Sequence, residues 1–171
     1  MDIQTQKTMF SSKSDEWETP QEFFDKLNNK HKFTLDPCCT HKSRKCDKYY
    51  TFEDDGLSKS WKDEVVFVNP PYSKIGKWVK KAYDESVNNN AKVVMLIPAR
   101  TDTRYWHDYI MKFASEINFV KGRLKFYNKV IADYTGKDDL SPAPFPSAVI
   151  VFDGSRFRWI DNGPSISTME R

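Results

Sequence analysis

The tetrapeptide Asn69-Pro70-Pro71-Tyr72 is the most specific chemical motif in the sequence. The two prolines fix φ, and so hold the Asn69 side chain and the neighbouring carbonyls in one rigid orientation. The Asn69 side-chain oxygen and the Pro70 carbonyl can then accept both hydrogens of an exocyclic amine and raise the electron density on its nitrogen. Tyr72 offers a ring face on which an extruded base can stack, a contact worth roughly 1–3 kcal/mol. The alternative is a turn that ends a strand, with Tyr72 only packing.

The elements around this tetrapeptide alternate between apolar runs and amphipathic stretches. Residues 65–68 form a continuous apolar run before it, and apolar residues at helical spacing follow it from Ile75 to Ala82. A helix is predicted to begin at Thr19 as N-cap, with Pro20 at its first position and Glu22 closing a capping box. Further strands are predicted at 33–35, 93–97, 117–120, 124–127 and 148–152, and a further helix at 105–113. The pattern predicts an α/β sheet covered by helices on both faces, with ligands beyond the carboxyl ends of the strands.

Six segments of the chain together resemble amino-group (N6-adenine) DNA methyltransferases, and most closely the compact phage-type Dam family. They are Asp15-Glu16-Trp17-Glu18-Thr19-Pro20, Thr34-Leu35-Asp36, Asn69-Pro70-Pro71-Tyr72, Pro98-Ala99-Arg100-Thr101-Asp102-Thr103, Gly122-Arg123-Leu124-Lys125-Phe126 and Ala143-Pro144-Phe145-Pro146-Ser147. The resemblance covers the chain from about Asp15 to Phe152. It implies a single compact domain with a Rossmann-like methyltransferase sheet that binds S-adenosylmethionine at the ends of the first strands.

The resemblance also implies which residues hold the cofactor. Trp17, Thr19 and Pro20 are expected to fold over its methionine end, and Asp36 with Pro37 to lie beside it. Asp54 and Asp55 are the candidates for accepting hydrogen bonds from its adenine or ribose, and Asn69 borders the same site. The chain departs from the broader methyltransferase pattern directly after Asp36. Where a glycine-rich turn is expected, Pro37 is followed by two cysteines.

The implied reaction is methyl transfer from S-adenosylmethionine to the N6 amino group of adenine in DNA, on a base flipped out of the duplex. Asn69, Pro70, Pro71 and Tyr72 are the expected catalytic residues. This displacement needs positioning rather than a metal or a strong base. Two alternatives remain: the same chemistry on an RNA base or a protein glutamine amide, and an inactive DNA-binding accessory module.

Contacts to DNA are expected from basic residues near the strand ends, chiefly Arg100, Arg104, Arg123 and Lys125. Residues 128–147 lie between two predicted strands without periodicity, and a loop of that length suggests target recognition. The alternative is a disordered excursion. Double-stranded DNA is the expected partner, a homodimer is one alternative for the assembly, and no membrane contact is expected.

Composition sets the outer bounds. The length of 171 residues suits one domain at 15–160, between a flexible lead-in at 1–14 and a polar tail at 161–171. A net charge of +3 is compatible with nucleic acid without indicating it. No apolar run approaches a membrane span, and the mean hydropathy is -0.72. Cys38, Cys39 and Cys46, even with His41, lack the spacing of a zinc site, so no metal is expected. Reduced thiols suggest the cytoplasm, that of a host cell if the gene is phage or prophage encoded.

Overall fold

A mixed seven-stranded β-sheet organises the protein in the computed structural model, which describes residues 17–127, 140–155 and 163–171. Its strands are β1 (Leu35–Asp36), β2 (Lys48–Tyr49), β3 (Val65–Val68), β4 (Lys92–Pro98), β5 (Glu116–Lys121), β8 (Ser147–Asp153) and β9 (Ser165–Glu170). A separate two-stranded ladder joins β6 (Lys125–Tyr127) to β7 (Leu140–Pro142). The helices are α1 (Gln21–His31), α2 (Ile75–Asn88) and α3 (Met111–Phe113), with a π-helical turn, Trp106–Ile110, before α3. None of the helices in these ranges has both the length and the apolar character to cross a membrane.

The strand order is β2-β1-β3-β4-β8-β5-β9, and β8 runs antiparallel to both its neighbours while the other pairs are parallel. From β1 the chain goes outward to β2 and then returns to the opposite side of β1 to form β3. The order therefore reverses between β1 and β3. In open α/β sheets, ligands bind beyond the carboxyl ends of the strands at such a reversal. Asp36 ends β1 there, and Asn69 follows β3.

Side chains that alternate along β3, β4 and β8 enter two separate hydrophobic cores. Val66 and Val68 pack with α2 on one face, and Phe67 packs with α1 on the other. A strand buried on both faces must be apolar at every position, which explains the continuous apolar runs. The predicted sheet with helices on both faces is confirmed at this level.

The start of α1 differs from the prediction. The helix begins at Gln21 after Pro20, and no side chain of the described residues caps its N-terminus. Thr19 is therefore not the N-cap, and the predicted capping box with Glu22 is wrong. The Thr19 hydroxyl accepts a hydrogen bond from the Asn69 side chain instead. Thr19 therefore bonds to Asn69, which is distant in the sequence, rather than to the adjacent helix.

The C-terminal residues also differ from the prediction. The tail predicted at 161–171 contains β9, which pairs in parallel with β5 over the whole length of the strand. The strand is polar because it lies at the sheet edge, where its side chains are mostly exposed and pairing requires only the backbone. The predicted lead-in at 1–14 lies outside the described residues, as does most of the predicted recognition loop at 128–147.

Candidate active site

Asn69 lies one residue beyond β3, and its side chain is held by the segment before α1. Its amide nitrogen donates to the Trp17 carbonyl and, at 2.9 Å, to the Thr19 hydroxyl. Because a carbonyl can only accept, the NH2 group must face Trp17, and the amide oxygen must point the other way. That oxygen, Oδ1, is buried and has no hydrogen-bond partner among residues 17–127, 140–155 and 163–171. The site therefore contains an oriented acceptor that none of the described residues uses.

The two prolines join the strand to α2. Pro70 is buried, and Pro71 has the extended backbone angles φ -56° and ψ 124°. A 3₁₀ turn, Tyr72–Lys74, follows and leads directly into α2. Proline has no N–H to continue the ladder, so the buried strand ends here. The tetrapeptide thus occupies the strand–turn–helix junction that was predicted for it.

Tyr72 is half-buried in a group of aromatic rings. Its ring is nearly parallel to that of Trp17, at 15° with centroids 6.4 Å apart, and meets the edge of Phe145 at 5.3 Å. Its hydroxyl is buried and has no hydrogen-bond partner in the part of the chain that the structure describes. Burial raises the pKa of Tyr72 above its usual value, so the phenol stays neutral. Tyr72 is therefore a neutral ring held at a defined angle.

Trp17 contacts both Asn69 and Tyr72 of the tetrapeptide. Only 5% of Trp17 is exposed, and its ring meets Phe126 at 5.8 Å and Phe145 at 5.4 Å, both edge-on. Its carbonyl accepts from Asn69, while its ring is parallel to that of Tyr72. Phe126 and Phe145 had no predicted role, although both lie in segments that carry the resemblance. The sequence shows that these segments contain aromatic residues, but their spacing does not indicate that the rings contact Trp17.

Asp36 ends β1 and orders the turn that follows it. Only 3% of Asp36 is exposed, and its carboxylate accepts the Lys45 backbone N–H at 3.0 Å and that of Cys38 at 3.5 Å. Burial raises the pKa of Asp36 to about 6, although these N–H bonds act in the opposite direction. The Cys38 thiol in turn donates to the Asn69 carbonyl at 3.4 Å. Cys38, which had no predicted role, therefore links the loop after β1 to the tetrapeptide.

The loop after β2 brings the predicted acidic residues to the same edge. Asp54 accepts from the backbone N–H and the hydroxyl of Thr51 at 2.8 and 2.9 Å, and these bonds lower the pKa of Asp54. Asp55 is exposed, at φ 51°, and its carboxylate bonds to none of the described residues. A Cβ on Gly56 would lie 2.0 Å from the Pro37 carbonyl oxygen, so the two loops touch backbone to backbone.

The four basic residues predicted to contact DNA are all exposed. Arg100 follows β4, and Arg104 lies four residues further along the chain. Arg123 lies just after β5, and Lys125 is the first residue of β6. Since β4 and β5 are both antiparallel to β8, their carboxyl ends meet the same edge as Asp36 and Asn69. Arg104 is 3.8 Å from Asp108, which partly neutralises it. The structure thus brings these residues to one edge, with β8 between the two pairs.

Comparison with known proteins gives consistent results. The family model described as "DNA N-6-adenine-methyltransferase (Dam)" matches residues 6–170. The "DNA N-6-adenine-methyltransferase" of Haemophilus phage HP1 is 28% identical over 154 residues, 88% of this chain and 86% of that protein. The protein of the same name from Escherichia phage T1 is 34% identical over 112 residues, 64% of this chain.

The matched region spans about half, 46%, of the T1 protein's length. A third relative, "Putative methyltransferase YfdM" of Escherichia coli K12, is 35% identical over 65 residues, 34% of this chain and 71% of that protein. The family model nonetheless spans nearly the whole chain, including the tetrapeptide, the turn after Asp36 and the strand β9. The chain therefore belongs to the DNA N-6-adenine-methyltransferase (Dam) family, as its resemblance predicted.

Proposed function

We propose that this chain transfers the methyl group of S-adenosylmethionine to the N6 amino group of adenine in double-stranded DNA. The observation that carries the proposal is the buried Oδ1 of Asn69, which has no partner among the described residues. A buried acceptor left without a partner costs about 1–3 kcal/mol, and a hydrogen-bond donor bound at this site would recover that cost. Here the missing partner is a donor, and an exocyclic amine is a donor. Membership of the Dam family supports adenine in DNA as the source of that amine.

The chain's part in the chemistry is to orient and polarise the amine. Asn69 Oδ1 and the Pro70 carbonyl each accept one of its two hydrogens, which directs the nitrogen lone pair away from both acceptors. Tyr72 stacks on the base, and its neutral, aromatic-supported ring resists displacement. These groups act by preorganised positioning, which suits an in-line displacement. When bound, S-adenosylmethionine supplies an electrophilic methyl group on a sulfonium.

The residues at the reversal between β1 and β3 fit this cofactor, in a sheet that we take to be Rossmann-like. The loops after β1, β2 and β3 meet there through the contacts of Gly56 with Pro37 and of Cys38 with Asn69. The Asp55 carboxylate bonds to none of the described residues and is available to ribose hydroxyls, whereas Asp54 uses its carboxylate within the turn. Phe52, in the same turn and 87% exposed, offers an apolar face to the adenine ring.

The DNA approaches the carboxyl edge of the sheet. Arg100, Arg104, Arg123 and Lys125 are exposed at this edge, where each phosphate contact would increase the dependence of binding on salt. Because Asn69 Oδ1 and the Tyr72 hydroxyl are buried, a flipped base reaches them only after the side chains that cover them move.

The test is transfer of tritiated methyl groups from S-adenosylmethionine to unmethylated duplex DNA, RNA and protein extract in parallel. We expect label in DNA, recovered as N6-methyladenine. Asn69→Ala should lower kcat by about 10²–10³, as loss of one preorganised polar group does in other enzymes. Tyr72→Ala should lower kcat/KM by roughly 5–150-fold, the equivalent of about 1–3 kcal/mol of stacking. Asn29→Ala is the matched control, because Asn29 is exposed on α1.

Each other outcome counts against a defined part of the proposal. Label found only in RNA or only in protein would replace the substrate while retaining the chemistry. Undiminished transfer by Asn69→Ala would refute the role of the tetrapeptide. No transfer by the wild type, together with no calorimetric binding of S-adenosylmethionine, would favour an inactive DNA-binding module.

A further inference from the structure

The segment Trp17-Glu18-Thr19 crosses the site and holds both hydrogens of the Asn69 side-chain amide. We infer that Thr19 is a positioning residue for methyl transfer, acting with the Trp17 carbonyl to keep Asn69 Oδ1 directed at the target amine. This inference rests on the proposed function. It gives Thr19 a role different from the helix cap and from the cofactor contact expected from the sequence.

An asparagine needs such a clamp because the two ends of its amide have nearly the same shape. If the amide rotated by half a turn, its NH2 group would face the amine of the substrate, and two donors would meet. The Trp17 carbonyl excludes that rotamer, because it would then face the amide oxygen, and two acceptors would meet. Thr19 binds the second hydrogen at 2.9 Å, so no N–H of Asn69 is left to compete with the oxygen.

The hydroxyl of Thr19 has no other use in the described part of the chain. It does not cap α1, whose first turn has no side-chain cap. Only 2% of Thr19 is exposed, and among the described residues its side chain hydrogen-bonds to Asn69 alone. A buried hydroxyl that is unused by the adjacent helix is explained by the contact that it makes.

The clamp itself is fixed from outside the first helix. Glu18 exchanges two backbone hydrogen bonds with Tyr127 of β6, at 3.1 and 3.2 Å. The Trp17 ring is enclosed by Phe126 and Phe145. Residues on either side of Glu18 therefore hold Asn69, while Glu18 is paired to the β6–β7 ladder. The orientation of the Asn69 amide thus depends on the position of that ladder.

The test compares Thr19→Val, which keeps the shape but removes the hydroxyl, with Thr19→Ser, which keeps the hydroxyl. Thr19→Val should lower kcat about tenfold, the usual effect of one lost neutral hydrogen bond, while the Kd for S-adenosylmethionine stays unchanged. Thr19→Ser should restore most of kcat. Thr34→Val is the matched control, because the exposed Thr34 hydroxyl bonds Glu64 and the Val65 carbonyl at the opposite end of β1.

Two outcomes would overturn the inference. A weakened affinity for S-adenosylmethionine with kcat intact would make Thr19 a cofactor contact, as the sequence first predicted. Equal losses of kcat in Thr19→Val and Thr19→Ser, in proportion to their losses in Tm, would make Thr19 merely structural.

A measurement without substrates separates this inference from the proposed function. In ¹⁵N-edited NMR spectra of the free protein, the two side-chain NH2 protons of Asn69 should have separate, exchange-protected resonances. Thr19→Val should shift one of them strongly and remove its protection, whereas Thr34→Val should leave both unchanged. Unprotected Asn69 protons in the wild type would refute the clamp. Protected protons in a protein that methylates nothing would retain the clamp and refute the proposed function.

Discussion

Replacing Asn69 by aspartate tests the direction of the Asn69 amide by stability rather than by activity. In the wild type, Nδ2 donates to the Trp17 carbonyl and the Thr19 hydroxyl. An ionised carboxylate can only accept. The Thr19 hydroxyl can turn and donate to it, but the Trp17 carbonyl cannot. Asn69→Asp therefore places two buried acceptors against each other.

The expected cost follows from that single contact. A hydrogen bond lost with both partners left buried costs about 1–3 kcal/mol, and more where one is charged. We expect Asn69→Asp to lower the free energy of unfolding by about 2–3 kcal/mol at neutral pH. For a protein of this size that is a loss of roughly 4–12 °C in Tm.

The cost should also depend on pH, with a defined sign. Burial and the facing carbonyl raise the pKa of the introduced carboxyl group above its value in the unfolded chain. Below the unfolded pKa the group is protonated in both states, and its O–H can donate to the Trp17 carbonyl. The deficit relative to wild type is therefore small in acid and grows as the pH rises through the folded-state pKa. Asp36 titrates in the same pH range, but its contribution cancels in the stability difference because the wild type and Asn69→Asp both contain it.

Urea denaturation of the wild type and Asn69→Asp at about pH 4 and about pH 8 measures this difference. The control is Asn29→Asp, an exposed change expected to stay within about 0.5 kcal/mol at either pH. Equal stability of Asn69→Asp and wild type near pH 8, or a larger deficit in acid, would show that the NH2 group does not face Trp17.

Two further predictions concern the loops around Asp36. Gly56→Ala should lower the free energy of unfolding by about 1–3 kcal/mol, because its Cβ would lie 2.0 Å from the Pro37 carbonyl oxygen. Gly76→Ala should raise it by about 0.5–1 kcal/mol, because the nearest described atom beyond its chain neighbours and its own helix backbone, in the Tyr105 ring, would lie 3.8 Å from the new Cβ. Equal effects of the two substitutions in thermal denaturation would contradict the close contact. Burial raises the pKa of Asp36 from 3.8 to about 6. As the pH rises through this interval, the wild type should therefore lose about 3 kcal/mol of stability relative to Asp36→Asn. Urea titrations in which the stability of the wild type relative to Asp36→Asn stays constant or increases with pH would contradict this prediction.

The parts of the fold that could be predicted from the sequence are those in which burial dictates residue type. The runs in β3, β4 and β8 are apolar throughout because both faces of each strand are covered. The edge strand β9 could not be predicted in this way. It is held by backbone pairing with β5, and its exposed side chains carry no apolar signal. The two-residue strand β2 is too short for any periodicity.

The candidate site divides along the same line. Asn69 and Tyr72 could be identified because the prolines between them act on adjacent residues. The resemblance placed Thr19 and Trp17 beside the cofactor, but their hydrogen bonds to Asn69 could not be predicted, since they lie 50 and 52 residues from it in the sequence. The local pattern at Thr19 predicted a helix cap, and only the tertiary structure shows that its hydroxyl faces Asn69. The Thr19 hydroxyl could bond either to the first turn of α1 or to Asn69, and the structure shows the bond to Asn69.

The turn after Asp36 shows why a glycine-rich sequence is not required there. Its shape is fixed by the Asp36 carboxylate, which accepts the N–H groups of Cys38 and Lys45, so no positive φ is needed and Pro37 is tolerated. Glycine also allows two backbones to approach closely, and here the glycine lies in the loop after β2 rather than in the turn after Asp36. Gly56 lacks the Cβ that would collide with the Pro37 carbonyl. If the cofactor lies between these loops, a substitution at Gly56 changes its affinity without Gly56 touching it, because the loop after β1 must move first.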